Sequence, residues 1–192
     1  MTLKVKTIIA ADLILTQNRR ENVKNNASRI KRITFLALFA SLALLLSYVE
    51  MLLPPIFTAV PGIKMGLPNI VIIIILYRLG VAEAAVVSGI RLLIVTILFG
   101  NITMFWYSLA GAVLSLAVMA MLKKLNFLST VGVSVAGAIM HNVGQMIVAI
   151  LLLHTSEIGY YMIVLSITGT IAGIFIGLGG ALLHKRLEKI KM

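Results

Sequence analysis

Residues 33–55 read ITFLALFASLALLLSYVEMLLPP, and this stretch decides what kind of protein the chain is. From 33 to 53 the only charged residue is Glu50, and Pro54 and Pro55 then close the run. A helix of that length rises about 30 Å, the thickness of a bilayer's hydrocarbon core. The stretch is therefore expected to be a membrane span over 33–53, ended by the double proline.

Downstream the same pattern repeats. Residues 56–68 carry Pro61, Gly62, Gly66 and Pro68, which forbid a continuous helix. A short second span is expected over 69–79. It barely crosses unless it borrows length from Gly66 onward or is buried by neighbours. Arg78, Gly80 and Glu83 mark a tight turn, and a third span follows over 81–99. Gly100 and Asn101 turn the chain into a fourth span over 104–122, which Lys123 and Lys124 close. A fifth span over 131–153 and a sixth ending near 183 complete the series. Composition agrees: 60% of the 192 residues are hydrophobic and 12% charged, with a mean hydropathy of +1.08. A soluble domain needs far more polar surface.

Charge placement sets the topology. The net charge is +11, yet fifteen of the seventeen Lys and Arg lie at the termini or in the connections at Arg78 and Lys123–Lys124. That is the distribution of cytoplasmic flanks, not of a nucleic-acid-binding surface. Lys64 is the one basic residue expected in an outer loop. An even number of spans keeps both basic ends inside. The expected fold is thus an all-α integral membrane protein, a six-transmembrane-helix bundle of the cell membrane with both termini cytoplasmic. Its expected parts are a basic segment over 1–32, the membrane domain over 33–183 and a basic tail over 184–192. The apolar stretch 7–15 is too short to span and lacks a cleavage pattern. Residues 1–32 read either as an interfacial helix on anionic lipid or as a disordered extension.

Several residues carry more than packing information. Gly169, Gly173 and Gly177 recur every four residues, and Gly132, Ala136 and Gly144 fall on one face of the fifth span. Small residues let helices approach closely in lipid, most simply within the bundle itself. Arg91 sits mid-span, and an intramembrane Arg is by default a functional residue with a partner. Two compatible readings fit it: a structural pair with Glu50, or a bidentate grip on an anionic substrate group. His141 and Gln145 share a helical face with Asn142 beside them. These three either bond neighbouring helices or line a polar cavity. No second His or carboxylate stands at ligand spacing from His141, so no metal is expected. The run from Pro61 to Asn69 reads as a lid over an outward-facing pocket, with Lys64 and Asn69 as its polar groups, or as an ordinary outer loop. Trp106 and Tyr107 read as interfacial belt aromatics.

The segments 61–70, 91–100, 107–111 and 137–145 (GAIMHNVGQ) resemble the family called heptaprenyl diphosphate synthase component I, also labelled Gx transporter. That family is similar to the S components of energy-coupling-factor (ECF) transporters. The resemblance implies a six-helix, ECF S-component-like fold and a small-molecule substrate held under the loop after the first helix. It also implies an ECF-type transmembrane coupling subunit and ATPases as partners. In S components an Ala-x-x-x-Ala pattern on the first helix docks the coupling subunit, and Ala37 and Ser41 approximate it.

Chemistry excludes one function outright. Prenyl chain elongation needs clustered aspartates to hold magnesium and diphosphate. The six acids here, Asp12, Glu21, Glu50, Glu83, Glu157 and Glu188, are widely spread. No catalytic residues and no cofactor are therefore expected. The absence of a Gly-x-x-x-x-Gly-Lys-Ser/Thr loop leaves any ATP use to partners. The sequence expectation is a transport subunit binding a vitamin-, quinone- or isoprenoid-related molecule at Arg91, His141, Asn142, Gln145, Glu50, Lys64 and Asn69. The alternative is a non-catalytic membrane accessory subunit of a polyprenyl diphosphate synthase. An ion-coupled carrier has only Glu50 and His141 in its favour.

Overall fold

The computed structural model describes residues 2–52, 66–99, 102–154 and 157–187. They fold into α1 (Thr2–Leu52), α2 (Asn69–Arg78), α3 (Val81–Phe99), α4 (Ile102–Leu125), α5 (Thr130–Leu153) and α6 (Tyr161–Leu187), with a 3-10 turn over Glu157–Tyr160. Five of these helices are long and apolar enough to cross a membrane, which makes this a multi-pass membrane protein.

The sixth, α2, is the short segment expected to borrow length or be buried by neighbours, and it is buried. Its ten residues reach about 15 Å, half a hydrocarbon core. Val71 to Leu76 are buried without a gap, so the helix is covered on every side. An all-round apolar helix is stable only where neighbours enclose it, and α2 packs against α3 and α6. It is an internal helix of the bundle. Leu79 and Gly80, the latter at φ +130°, turn the chain from α2 into α3.

Charges from two other helices hold the ends of α2. Glu50 of α1 accepts hydrogen bonds from the amides of Gly66 and Leu67, just ahead of the first turn. At the far end, Lys123 Nζ donates to the carbonyl of Leu76 at 2.6 Å and lies 5.2 Å from the centroid of the Tyr77 ring. An anion at the N-terminus and a cation at the C-terminus both match the helix dipole.

The remaining helices follow in ring order, α3 on α4, α4 on α5 and α5 on α6. Glycine sets the closest approaches. A Cβ on Gly144 of α5 would stand 2.6 Å from the carbonyl oxygen of Ala110 on α4. Cβ atoms on Gly173 and Gly177 of α6 would stand 2.6 and 2.7 Å from Val135 Cα and Val131 Cα of α5. The fourfold glycine repeat of α6 thus packs within the bundle. Gly132 faces Leu128 of its own segment instead.

The described chain divides into a unit up to Ala37 and a unit from Leu38 onward. In the first, helix begins at Thr2, where a disordered extension was one of two expectations. Residues 2–32 hold no Pro or Gly to interrupt it. In the second, the apolar side chains that remain exposed, such as Ile163, Ile167, Ile171 and Phe175 on α6, form the flank that lipid covers. Of the two expected belt aromatics, Trp106 is 49% exposed. Tyr107 is instead buried against Met146, Ala149 and Leu165.

Candidate functional site

The polar centre of the bundle is built where the chain enters α2. Gly66 has φ +84°, a left-handed conformation that glycine adopts without steric cost. This turn points its N–H at Glu50 Oε1, with the Leu67 N–H 3.3 Å from the same oxygen. The amide of Asn69 then donates to the Gly66 carbonyl at 2.9 Å. A Cβ on Gly66 would stand 2.7 Å from Asn69 Nδ2 and 3.5 Å from His141 Cδ2, so the amide and the imidazole flank the glycine.

Arg91 comes to the same place from α3. It is 7% exposed, and its Nη1 donates to Ser47 Oγ at 3.2 Å. Ser47 in turn donates to the carbonyl of Ala43 at 2.8 Å. Ser47 and Glu50 stand three residues apart on α1, hence on one helical face, and the Glu50 charge acts on the guanidinium. Arg91 Nε is buried with no hydrogen-bond partner among the described residues. A buried donor left in that state costs about 1–3 kcal/mol.

A cavity of about 20 Å³ lies among these groups, room for about one water. Ser47, Glu50, Gly66, Arg91 and His141 line it, with Thr96 and Ser108 adding hydroxyls. Depth is consistent across helices. Arg91 lies ten residues after Val81 and His141 eleven after Thr130, so each stands about 15–17 Å along its helix, as far as α2 is long. The site therefore lies about midway along α3 and α5.

Of the residues singled out by sequence, the structure brings Glu50, Arg91 and His141 onto one cavity wall, with Asn69 beside it. Asn142 points elsewhere: its Nδ2 donates to the Leu165 carbonyl of α6 at 2.8 Å. Gln145 is fully buried on α5 and is not among the cavity-lining residues. Lys64, and the expected lid as far as residue 65, lie outside the described residues. Ser41 borders a different hollow, between α1 and α3, while Ala37 belongs to the N-terminal unit. Sequence reasoning missed Ser47, whose signal was its i, i+3 spacing from Glu50. It also missed Lys123 as the cap of α2, for which no local pattern exists.

The sequence model of the family heptaprenyl diphosphate synthase component I matches residues 39–183. The chain belongs to this family. No curated protein and no solved structure matches it. The stretch matched by heptaprenyl diphosphate synthase component I holds every residue of the cavity wall, from Ser47 to His141.

Proposed function

We propose that the protein is the substrate-binding membrane subunit of a transporter, in the manner of an ECF S component. It takes up a small vitamin-, quinone- or isoprenoid-related molecule with an anionic group. One observation carries this reading: a buried arginine about midway along α3 faces a polar cavity with a donor still unfilled. A purely structural ion pair would saturate its guanidinium, because unfilled donors are costly in hydrocarbon. A ligand oxyanion would fill it.

In this reading Arg91, Glu50, His141 and Asn69 form the site, and both termini are cytoplasmic, as the basic flanks favour. Asn142 and Gln145 are buried behind it on α5, outside the cavity wall. Energy comes from partner ATPases through a coupling subunit that docks near Ala37 and Ser41. The family description favours a second reading, a non-catalytic membrane accessory subunit of a polyprenyl diphosphate synthase.

Native mass spectrometry of gently purified protein tests the first reading. A retained small molecule is expected in the parent protein and lost in Arg91→Gln, while both insert and purify alike. Equal retention in the two refutes the site. Co-purification of ATPase and coupling subunits supports transport, whereas a co-purifying synthase supports the accessory role.

A further inference from the structure

Beside the polar cavity, α1 and α3 leave a second and larger hollow. It measures about 450 Å³, within the range of about 300–1,000 Å³ usual for small-molecule sites. Leu44, Leu45 and Tyr48 of α1 and Ile94, Leu98 and Phe99 of α3 form most of its wall. Leu45, Leu98 and Phe99 are exposed, so the groove opens on the apolar flank and not toward water. Val95 lines both hollows, and Ser47 of the polar one is followed in the chain by Tyr48 of the apolar one. The two share a wall at Val95, with Arg91 on its polar side.

We propose that these hollows bind one amphiphile: a phosphate-like anionic head at Arg91 and a single hydrocarbon tail in the α1–α3 groove, entered sideways from the bilayer. The inference rests on the substrate-binding reading above and specifies the class of its substrate. A compact polar solute would leave the groove unused, and a neutral lipid would leave Arg91 Nε without an acceptor. An anionic amphiphile satisfies both. The polar cavity holds about one water, too little for a phosphate, so the head takes the place of the Glu50 carboxylate at the amides of Gly66 and Leu67. Those amides already hold an anion at the start of a helix, the setting in which phosphates bind.

The test uses the full chain in phosphatidylcholine nanodiscs, with dodecyl phosphate, inorganic phosphate and dodecanol as probes. Dodecyl phosphate is expected to bind at least about tenfold tighter than either half-molecule. Leu45→Trp and Leu98→Trp, which fill the groove, are expected to weaken it by about tenfold or more, and Arg91→Gln to abolish it. Leu42→Trp, on α1 outside the groove, is expected to leave it unchanged. Glu50→Gln is expected to tighten it, because a neutral amide no longer competes with the head. Equal binding of dodecanol, or no effect of the groove variants, overturns the proposal. So does phosphatidic acid in the nanodisc displacing dodecyl phosphate mole for mole, since the groove would then take a two-tailed bilayer lipid. If Arg91→Gln loses the co-purifying molecule while both groove variants keep full affinity, the amphiphile inference fails and the transport reading stands.

Discussion

Glu50 and Arg91 should be energetically inseparable, and a double-variant cycle measures this directly. Glu50→Ala removes the acceptor of two amides and the opposite charge beside a buried guanidinium. Breaking a buried pair from one side costs about 3–5 kcal/mol, because the remaining charge stays in a low-dielectric site. Arg91→Met strands Glu50 in the same way, although the amides of Gly66 and Leu67 still hold the carboxylate, so about 3 kcal/mol is expected. The double variant Glu50→Ala/Arg91→Met leaves no buried charge. Its residual cost is the two unfilled amides at the start of α2, about 1–3 kcal/mol each and so about 4 kcal/mol in all. The losses should therefore fall short of additivity by about 3 kcal/mol, the upper end for residues in contact. Thermal unfolding in detergent, followed by Trp106 fluorescence, reads this out. At about 2–4 °C per kcal/mol for a chain of this size, each single variant should lose about 10 °C, and the double about the same. Additive losses, or a Glu50→Ala variant as stable as the parent, would refute the pairing.

Two further changes test the scaffold that positions the site. Lys123→Met removes the cation from the C-terminal end of α2, and a charge-assisted hydrogen bond there is worth about 1.5–3 kcal/mol. Its neighbour Lys124 is exposed, so Lys124→Met should shift the melting temperature far less, and equal shifts would remove the capping role. Gly173→Leu drives a side chain into the backbone of α5 at Val135 and should destabilise by about 1–3 kcal/mol or more. Gly89→Leu meets nothing within 4 Å and should be close to neutral in the same melting assay.

The spans were legible because lipid imposes one demand, about 20 apolar residues with every backbone group bonded internally. That rule located α3, α4 and α5 to within three residues at each end. For α2 it left two readings open, extra length from Gly66 or burial by neighbours, and the run Val71 to Leu76 signals burial but not what buries it. Length alone showed that the segment is too short to cross. For the site, Arg91, Glu50 and His141 announced themselves as polar groups among apolar ones, and the structure puts them on one wall. Asn142 announced itself equally, yet it bonds a carbonyl on α6. Helical periodicity tells which residues share a face. It does not tell which neighbour that face meets, and residues 141 and 142 are about 100° apart around α5.

The two ways in which this bundle is held together bear on how it would act. The helices α4, α5 and α6 meet through glycine at backbone distance, and such contacts have little freedom to rearrange because interiors pack without slack. Helix α1 makes no comparably close approach to another helix among the described residues. Besides the buried Phe39 and Ala43, its ties to the rest include side-chain contacts of Ser47 to Arg91, of Glu50 to the start of α2, and of the Tyr48 ring, 5.4 Å from that of Phe99. The groups in these side-chain contacts border the cavity and the groove. A ligand shifts a conformational equilibrium only through contacts that differ between its states. An anion that replaces Glu50 at the α2 amides changes the attachment of α1 and leaves the glycine-packed helices untouched. In the proposed substrate-binding reading, occupancy of the site would thereby act on a single helix, the one that carries Ser41 on its exposed side.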